Sequence, residues 1–327
     1  MPAGATILGG IAGPVLTPDE RAFFREADPW GFILFGRNVA DPDQLRRLTA
    51  GLREAVGRDA VVMVDQEGGR VQRLRGPHWT DWTPPLTAAA AGPRATFLRY
   101  RLIGAELAAV GIDGNCAPTL DLRGETTHPF LRDRCFGSDV ASVAAHGRAC
   151  AEGLLASGVL PVMKHMPGHG RANADTHLNL PVVEAALQEL EATDFAPFRA
   201  LANLPIGMTA HIVFTALDPV RPATQSPAAI RAIRERIGFD GLLTTDDITM
   251  EALPGTHAER AAAAIAAGCD VVMHCNGDIA AMAPVAEAAG RLTAAAEARA
   301  VRALAARHAP EAADLAALRA EYASLTA

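Results

Sequence analysis

The chain has 327 residues, of which 50% are hydrophobic, so it can bury a large core without disulfides or a structural metal. Its 37 acidic and 30 basic side chains leave a formal net charge of −7, and the basic residues are dispersed along the sequence. Because a nucleic-acid binder needs a concentrated positive field, this charge pattern argues against nucleic acid as a partner.

The cysteines and the N-terminal segment predict the compartment. Five cysteines form an odd set with no C-x-x-C pair, which favours free thiols in a reducing environment. The apolar stretch 5–16 contains three glycines and a proline, lacks a basic leader and is too short to span a bilayer. We therefore expect no signal peptide, no membrane anchor and a cytoplasmic location.

Eight short apolar runs rich in β-branched residues are predicted strands, in the order 7–11, 31–35, 61–65, 111–117, 160–165, 206–211, 241–246 and 271–276. Stretches with helical periodicity lie between them, at 42–56, 141–155, 183–201, 227–237 and 258–267. Two of these helices have a capping residue before a proline in the first turn, at Asp41–Pro42 and Ser226–Pro227.

Strands that alternate with helices indicate parallel pairing, and eight such units favour a closed (β/α)₈ TIM-type barrel, which is an α/β fold. We expect one catalytic domain over 1–327, with about 291–327 as a helical extension on the barrel exterior. The alternative is an open doubly wound sheet. No G-x-G-x-x-G opens a helix, so the dinucleotide-binding form of that alternative has little support.

Polar residues end five of the eight predicted strands, where a barrel gathers its chemistry on one rim. They are Asp65, Lys164, His165, His211, Asp246, Asp247 and Asn276. The densest segments are 164–181, with three histidines, and 241–250, where an apolar strand runs into two carboxylates. A carboxylate on a rigid strand end and a titratable group on a loop suit a two-step displacement, in which one attacks carbon and the other moves a proton.

Seven segments in order resemble the family 3 glycoside hydrolases, and more closely their single-domain β-N-acetylhexosaminidase branch. They are GFILFGRN at 31–38, VDQEGGRVQRL at 64–74, NCAPTLDL at 115–122, RCFG at 134–137, KHMPGHG at 164–170, ADTH at 174–177 and TTDD at 244–247. Departures are few: Met166 replaces a common phenylalanine, and Thr176 and Cys135 replace common serines. Only Met166, beside Lys164 and His165, is expected to alter the pocket.

The resemblance implies a role for each matching residue. Asp246 is expected to be the catalytic nucleophile, His177 the acid/base, and Asp175 the group that orients the imidazole. A histidine can give and take a proton near neutrality, so no second carboxylate with a raised pKa is required. The residues that match the family's sugar-binding positions are Asp65, Arg73, Arg134, Lys164 and His165.

The resemblance also implies a reaction. It is the removal of terminal β-linked N-acetylglucosamine with retained configuration, through a covalent glycosyl-aspartate. With a cytoplasmic location, the expected substrates are 1,6-anhydro-N-acetylmuramic acid peptides released by cell-wall turnover. We expect no cofactor and no metal. The expected partner is this carbohydrate substrate, with no nucleic acid or membrane, and the chain is expected to be a monomer.

Several alternatives stay open at this point. His165, His169 and His177 have spacings that can build a zinc or iron site, which would favour a metal-dependent hydrolase. A non-catalytic sugar-binding barrel is disfavoured because Asp246, His177 and Asp175 are all present. A family 3 β-glucosidase or β-xylosidase resembles longer chains whose second domain supplies a carboxylic acid/base.

Two further points also stay open. Phosphorolysis is physically allowed, because a histidine acid/base does not repel phosphate as a carboxylate does. Trp79 and Trp82 either stack against a ligand beyond the first sugar or anchor the long connection 66–94.

Overall fold

The fold is a closed parallel barrel, seen in a computed structural model that describes residues 1–9, 11–125, 127–172 and 180–327. Strands follow chain order around the barrel, each neighbouring pair is parallel, and the last strand closes on the first. The barrel strands are β1 (Gly4–Leu8), β2 (Pro29–Leu34), β3 (Val61–Val64), β4 (Gly114–Asn115), β5 (Leu160–Met166), β6 (Ile206–Thr209), β7 (Leu242–Asp247) and β8 (Val271–His274). The predicted (β/α)₈ barrel is confirmed.

Helices cover the barrel, and capping chemistry in the sequence defines several of their ends. The helix Pro42–Val56 begins at Asp41, whose carboxylate accepts the Gln44 amide at 2.8 Å, and it ends at Gly57. The other α-helices are Pro18–Ala27, Pro85–Ala89, Gly92–Ala108, Pro129–Arg132, Val140–Ala156, Leu187–Ala192, Ala196–Ala200, Pro227–Ala232, His257–Ala267, Ile279–Ala289, Ala294–Ala305 and Leu315–Leu325. None of the described helices is both long and apolar enough to cross a bilayer.

One predicted helix is wrong. The stretch 183–201 contains two short helices, Leu187–Ala192 and Ala196–Ala200, and its first residue belongs to the strand Val182–Val183. Pro197 explains the break, because its ring has no amide hydrogen and collides with the carbonyl one turn earlier in a continuous helix. A proline in the first turn of the second helix avoids this cost.

Two small pairings lie beyond the carboxyl ends of the barrel strands. After β3, Gln66–Gly68 pairs antiparallel with Val71–Gln72. After β5 and β6, Val182–Val183 pairs in parallel with Val213–Phe214. The hairpin at 66–72 matters for the site, because it turns the chain back over the barrel mouth directly after Asp65.

The C-terminal helices lie outside the barrel. The last one, Leu315–Leu325, packs on Gly92–Ala108, and Glu321 forms a bidentate ion pair with Arg94. Its Tyr322 ring lies 5.6 Å from the ring of Trp82, which is 6% exposed. Trp82 therefore anchors the connection 66–94 to the exterior helices.

Candidate active site

One pocket at the carboxyl ends of the strands collects six of the eight predicted site residues. Its cavity of about 240 Å³ is lined by Asp65, Arg73, Arg134, Lys164, His165 and Asp246. Phe35, Phe130 and Met250 add apolar wall, and Arg70, His169, Asp247 and Cys275 add polar groups. Neither tryptophan of the connection 66–94 lines this pocket. Asp65 and Asp246, which are 181 positions apart in sequence, thus line one pocket because parallel strands end on one rim.

Asp65 joins two of the cations that are predicted to bind the sugar. One carboxylate oxygen lies 3.0 Å from Lys164 Nζ, and the other accepts Arg73 Nη2 at 3.0 Å. Burial works to raise the pKa of Asp65, but the charges of Lys164 and Arg73 outweigh it and hold the pKa well below its usual range. Asp65 is therefore an ionised acceptor in the pocket at neutral pH.

Lys164 is the only lysine in the sequence. It is 2% exposed, and its ammonium lies 3.0 Å from Asp65 and 2.7 Å from Glu67. Burial works to lower the pKa of Lys164, but the two carboxylates raise it above its usual value. An ammonium has three N–H donors, so one of them is left for a ligand in the pocket.

Sequence reasoning missed Glu67, which is 1% exposed and accepts a bidentate ion pair from Arg134 at 2.8 and 2.9 Å. Burial works to raise its pKa, but Arg134 and Lys164 hold the pKa at about 2. The G-G dipeptide after Glu67 was a usable signal, because it predicts a hairpin turn. In that hairpin Gly68 and Gly69 have φ of 105° and 60°, which favour glycine.

Asp121 was also missed, although it lies inside the quoted NCAPTLDL segment. Its carboxylate is fully buried and accepts His165 Nδ1 at 2.7 Å, together with the amides of His165 and His169 at 3.2 and 2.7 Å. This bond turns the Nε2 edge of His165 away from Asp121. Burial and the neighbouring His165 lower the pKa of His169 to about 4, so that imidazole is neutral at pH 7.

The two carboxylates that end β7 have different surroundings. Asp247 accepts the Thr249 amide at 3.0 Å, the Thr249 hydroxyl at 2.7 Å and the Cys275 amide at 3.2 Å. Asp246 accepts the Asp247 amide at 2.8 Å, and no other hydrogen bond from the described residues reaches its carboxylate. Among the described hydrogen bonds, the Asp246 carboxylate therefore has fewer donors than that of Asp247.

The environment of Asp246 favours its ionised form. Burial works to raise its pKa, but the imidazoles of His165 and His211 and the Asp247 amide hold the pKa below its usual value. His211 donates from Nε2 to the Asp247 carbonyl at 2.9 Å, and Thr224 lies 2.7 Å from its Nδ1. It thus anchors the strand end that carries Asp246.

His177 and Asp175 lie outside the described residues, so the predicted acid/base pair has no placement. The metal alternative also includes His177, so one of its three histidines lies outside the described residues. Within the described ranges, no group of three or more His, Cys, Asp or Glu side chains is arranged to hold a metal ion.

Taken together, the pocket presents the ionised carboxylate of Asp246 and a cluster of paired cations and acceptors. Such an array suits a small polyhydroxylated ligand, since each hydroxyl needs both donors and acceptors when it leaves water. The model of the "Glycosyl hydrolase family 3 N terminal domain" matches residues 20–306. The chain belongs to glycosyl hydrolase family 3. It is a glycoside hydrolase, as the sequence resemblance predicts.

Individual relatives agree with this family 3 assignment. The chain is 41% identical over 277 residues to the Beta-hexosaminidase of Methylococcus capsulatus, covering 81% of each chain. Its fold is similar to that of NagZ from Neisseria gonorrhoeae, solved in complex with N-trifluoroacetyl-D-glucosamine. That match has a TM-score of 0.87 and 30% identity, and it covers 100% of this chain and 99% of the other.

A longer relative shows the same fold. The β-N-acetylglucosaminidase from Paenibacillus sp. str. FPU-7 matches with a TM-score of 0.85 and 30% identity. The match covers 99% of this family 3 chain but 62% of the Paenibacillus chain, so the two proteins differ in length.

Proposed function

We propose that the protein is a retaining β-N-acetylhexosaminidase that releases terminal β-linked N-acetylglucosamine from 1,6-anhydro-muropeptides during cell-wall recycling in the cytoplasm. The observation that carries the proposal is the pocket itself. It joins an ionised Asp246 to Asp65, Arg73, Arg134, Lys164 and His165. The names of the relatives point to the same sugar, because they are β-hexosaminidases and β-N-acetylglucosaminidases.

In this proposal Asp246 attacks the anomeric carbon, and His177 protonates the departing oxygen. The bond between the anomeric carbon and the aglycone oxygen breaks as the bond to the Asp246 carboxylate forms. Neutral His177 then removes a proton from water, which attacks the same carbon and releases Asp246 with configuration retained. Asp175 orients His177 and stabilises its charged form.

The geometry supports Asp246 over Asp247 as nucleophile. Three donors occupy the Asp247 carboxylate, whereas one amide bonds to Asp246 among the described residues. A carboxylate bound by three donors is less nucleophilic and less free to reach carbon. Fixed placement at a strand end also favours an aligned attack.

The proposed sugar site supports selectivity for one sugar. Arg73, Arg134 and Lys164 are each held by a carboxylate, so their remaining donors have defined directions. A sugar that lacks a matching hydroxyl or acetamide leaves these donors without a partner, which reduces kcat/KM. We expect rejection of glucosides on this ground.

The test compares p-nitrophenyl β-N-acetylglucosaminide with p-nitrophenyl β-glucoside, with wild type and Asp246→Ala side by side. The proposal predicts strong preference for the N-acetylated sugar, a β-configured first product by NMR, and no turnover by Asp246→Ala. Equal rates on both sugars, or an α-configured first product, would contradict it. A parallel reaction with phosphate separates hydrolysis from phosphorolysis, since the latter yields a sugar 1-phosphate.

The aglycone requires a second assay. We expect hydrolysis of N-acetylglucosaminyl-1,6-anhydro-N-acetylmuramyl peptide, with release of N-acetylglucosamine detected by mass spectrometry. If only the aryl glycoside is cleaved, the hexosaminidase assignment stands and the muropeptide substrate is wrong.

A further inference from the structure

Glu67 is a buried charge that the catalytic proposal does not use. Its side chain is 1% exposed and is not among the residues that line the pocket. Nevertheless its carboxylate contacts two cations that do line the pocket: Arg134, at 2.8 and 2.9 Å, and Lys164, at 2.7 Å. A buried carboxylate is costly unless it is paired, so these contacts define its place.

The two cations come from different parts of the barrel. Arg134 follows the helix Pro129–Arg132 in the loop after β4, whereas Lys164 lies on β5. Arg134 pairs with Glu67 alone, and Lys164 pairs with Glu67 and Asp65, among the described ion pairs. Glu67 therefore joins two separate elements, each of which contributes one cation to the pocket.

The backbone of Glu67 is fixed by hydrogen bonds from a neighbouring helix. Its carbonyl accepts Arg99 Nη2 at 3.0 Å and the Tyr100 hydroxyl at 3.1 Å, and both donors belong to the helix Gly92–Ala108. Arg99 and Tyr100 are each at most 1% exposed. The position of the carboxylate is thus set by the scaffold rather than by the ligand.

We propose that Glu67 is a positioning residue: without touching the sugar, its carboxylate fixes the Arg134 guanidinium and the Lys164 ammonium relative to each other. The inference rests on the proposed function, because it assumes that these cations bind the sugar. Two carboxylates, Asp65 and Glu67, face three cations, Arg73, Arg134 and Lys164, so the cluster has a formal charge of +1.

Glu67→Gln makes that formal charge +2 and places an amide N–H₂ against one of the two cations. The titratable and charged groups that act on the Lys164 ammonium include Asp65, Glu67, Arg134, Asp246 and the thiols of Cys116 and Cys150. Loss of the Glu67 charge leaves the repulsion by Arg134 in place, so the pKa of Lys164 falls. The single lysine makes this measurable, because ¹⁵N labelling of lysine side chains yields one ammonium signal.

Asp270→Asn is the matched control. Asp270 is 6% exposed and also pairs with two arginines, Arg234 at 2.7 Å and Arg299 at 3.1 Å. It immediately precedes β8, so it lies at the opposite end of the barrel and does not line the pocket. Asp270→Asn therefore shows how the loss of a comparable buried charge affects the fold without a direct effect on the pocket.

The experiment measures the Kd of N-acetylglucosamine by calorimetry and the Lys164 titration by NMR, in wild type, Glu67→Gln, Glu67→Asp and Asp270→Asn. Glu67→Gln should weaken binding by about 10- to 100-fold, as expected when fixed binding groups are displaced by a fraction of an ångström to an ångström. It should also make Lys164 titrate at lower pH. Asp270→Asn should match wild type in both measurements.

Glu67→Asp separates the effect of geometry from the effect of charge. It also replaces Glu67→Gln as the test variant if Glu67→Gln fails to fold. It keeps the charge but is one methylene shorter, so Lys164 should titrate nearer to wild type while binding still weakens. Binding equal to that of Asp270→Asn in the folded Glu67 variants would overturn the role of Glu67. A wild type that neither binds N-acetylglucosamine nor cleaves its aryl glycoside would instead overturn the proposed function.

Discussion

Lys164→Met tests whether the buried ion cluster stabilises the fold. The substitution keeps the length of the side chain and removes a cation that lies 3.0 Å from Asp65 and 2.7 Å from Glu67. Removing one partner of a buried pair costs about 3–5 kcal/mol. Each carboxylate keeps one arginine, so we take the lower end, about 3 kcal/mol.

This free energy converts to a shift in Tm. Unfolding entropy is about 2.1 cal/mol/K per residue, or about 0.7 kcal/mol/K for 327 residues. The expected decrease is then about 4 °C at pH 7. Arg94→Met is the control, because its pair with Glu321 is bidentate but exposed and should change Tm by about 1 °C or less.

The pH dependence of this decrease has a defined sign. The pKa of Glu67 is held at about 2 and that of Asp65 also lies below its usual range. Carboxylates with lowered pKa stabilise the fold above the unfolded pKa, near 4, and lose that effect as the pH falls through the folded pKa. The deficit of Lys164→Met should therefore shrink from pH 7 to pH 3 in thermal unfolding followed by circular dichroism. An unchanged Tm at pH 7, or a deficit that grows on acidification, would refute the reasoning.

Two further substitutions test His177, the proposed acid/base, and the hairpin at 66–72. His177→Ala should reduce kcat/KM by about 10²- to 10⁴-fold on alkyl glycosides and far less on dinitrophenyl glycosides, which need little protonation to depart; equal losses on both would exclude the acid role. Gly68→Ala would place Cβ 1.9 Å from Arg99 Nη2 at a φ of 105°, so it should lower Tm and weaken binding of N-acetylglucosamine. Gly57→Ala, at a φ of 64° with nothing within 4 Å, should leave binding unchanged, and equal binding by both variants would count against the hairpin's role.

Much of the barrel could be predicted because its signals are local. Each predicted strand is a short apolar run, five of the eight end in polar residues, and a parallel barrel places all such ends on one rim. The same reasoning predicted that Asp65, Lys164, His165 and Asp246 share one rim, and all four line the pocket. The helix error at 183–201 has a local cause as well, since Pro197 stands where a continuous helix needs an amide donor.

The missed residues depend on tertiary contacts. Glu67 and Asp121 act through partners 44 to 97 positions away, Lys164, Arg134 and His165, and no periodicity in the sequence marks such pairs. His211 was recognised as a strand end, but its bond to the Asp247 carbonyl required the closed barrel to bring β6 beside β7. Local pattern therefore predicts which side chains reach the rim, whereas the fold decides which of them hold one another.

The identity of the nucleophile can be read directly from a trapped intermediate. We would incubate the protein with a fluorinated N-acetylglucosaminyl fluoride, whose glycosyl-enzyme hydrolyses slowly, and digest it for mass spectrometry. The account predicts one added sugar on the peptide that carries Asp246, and none in Asp246→Ala. A sugar attached to Asp247 or to any other residue would contradict it.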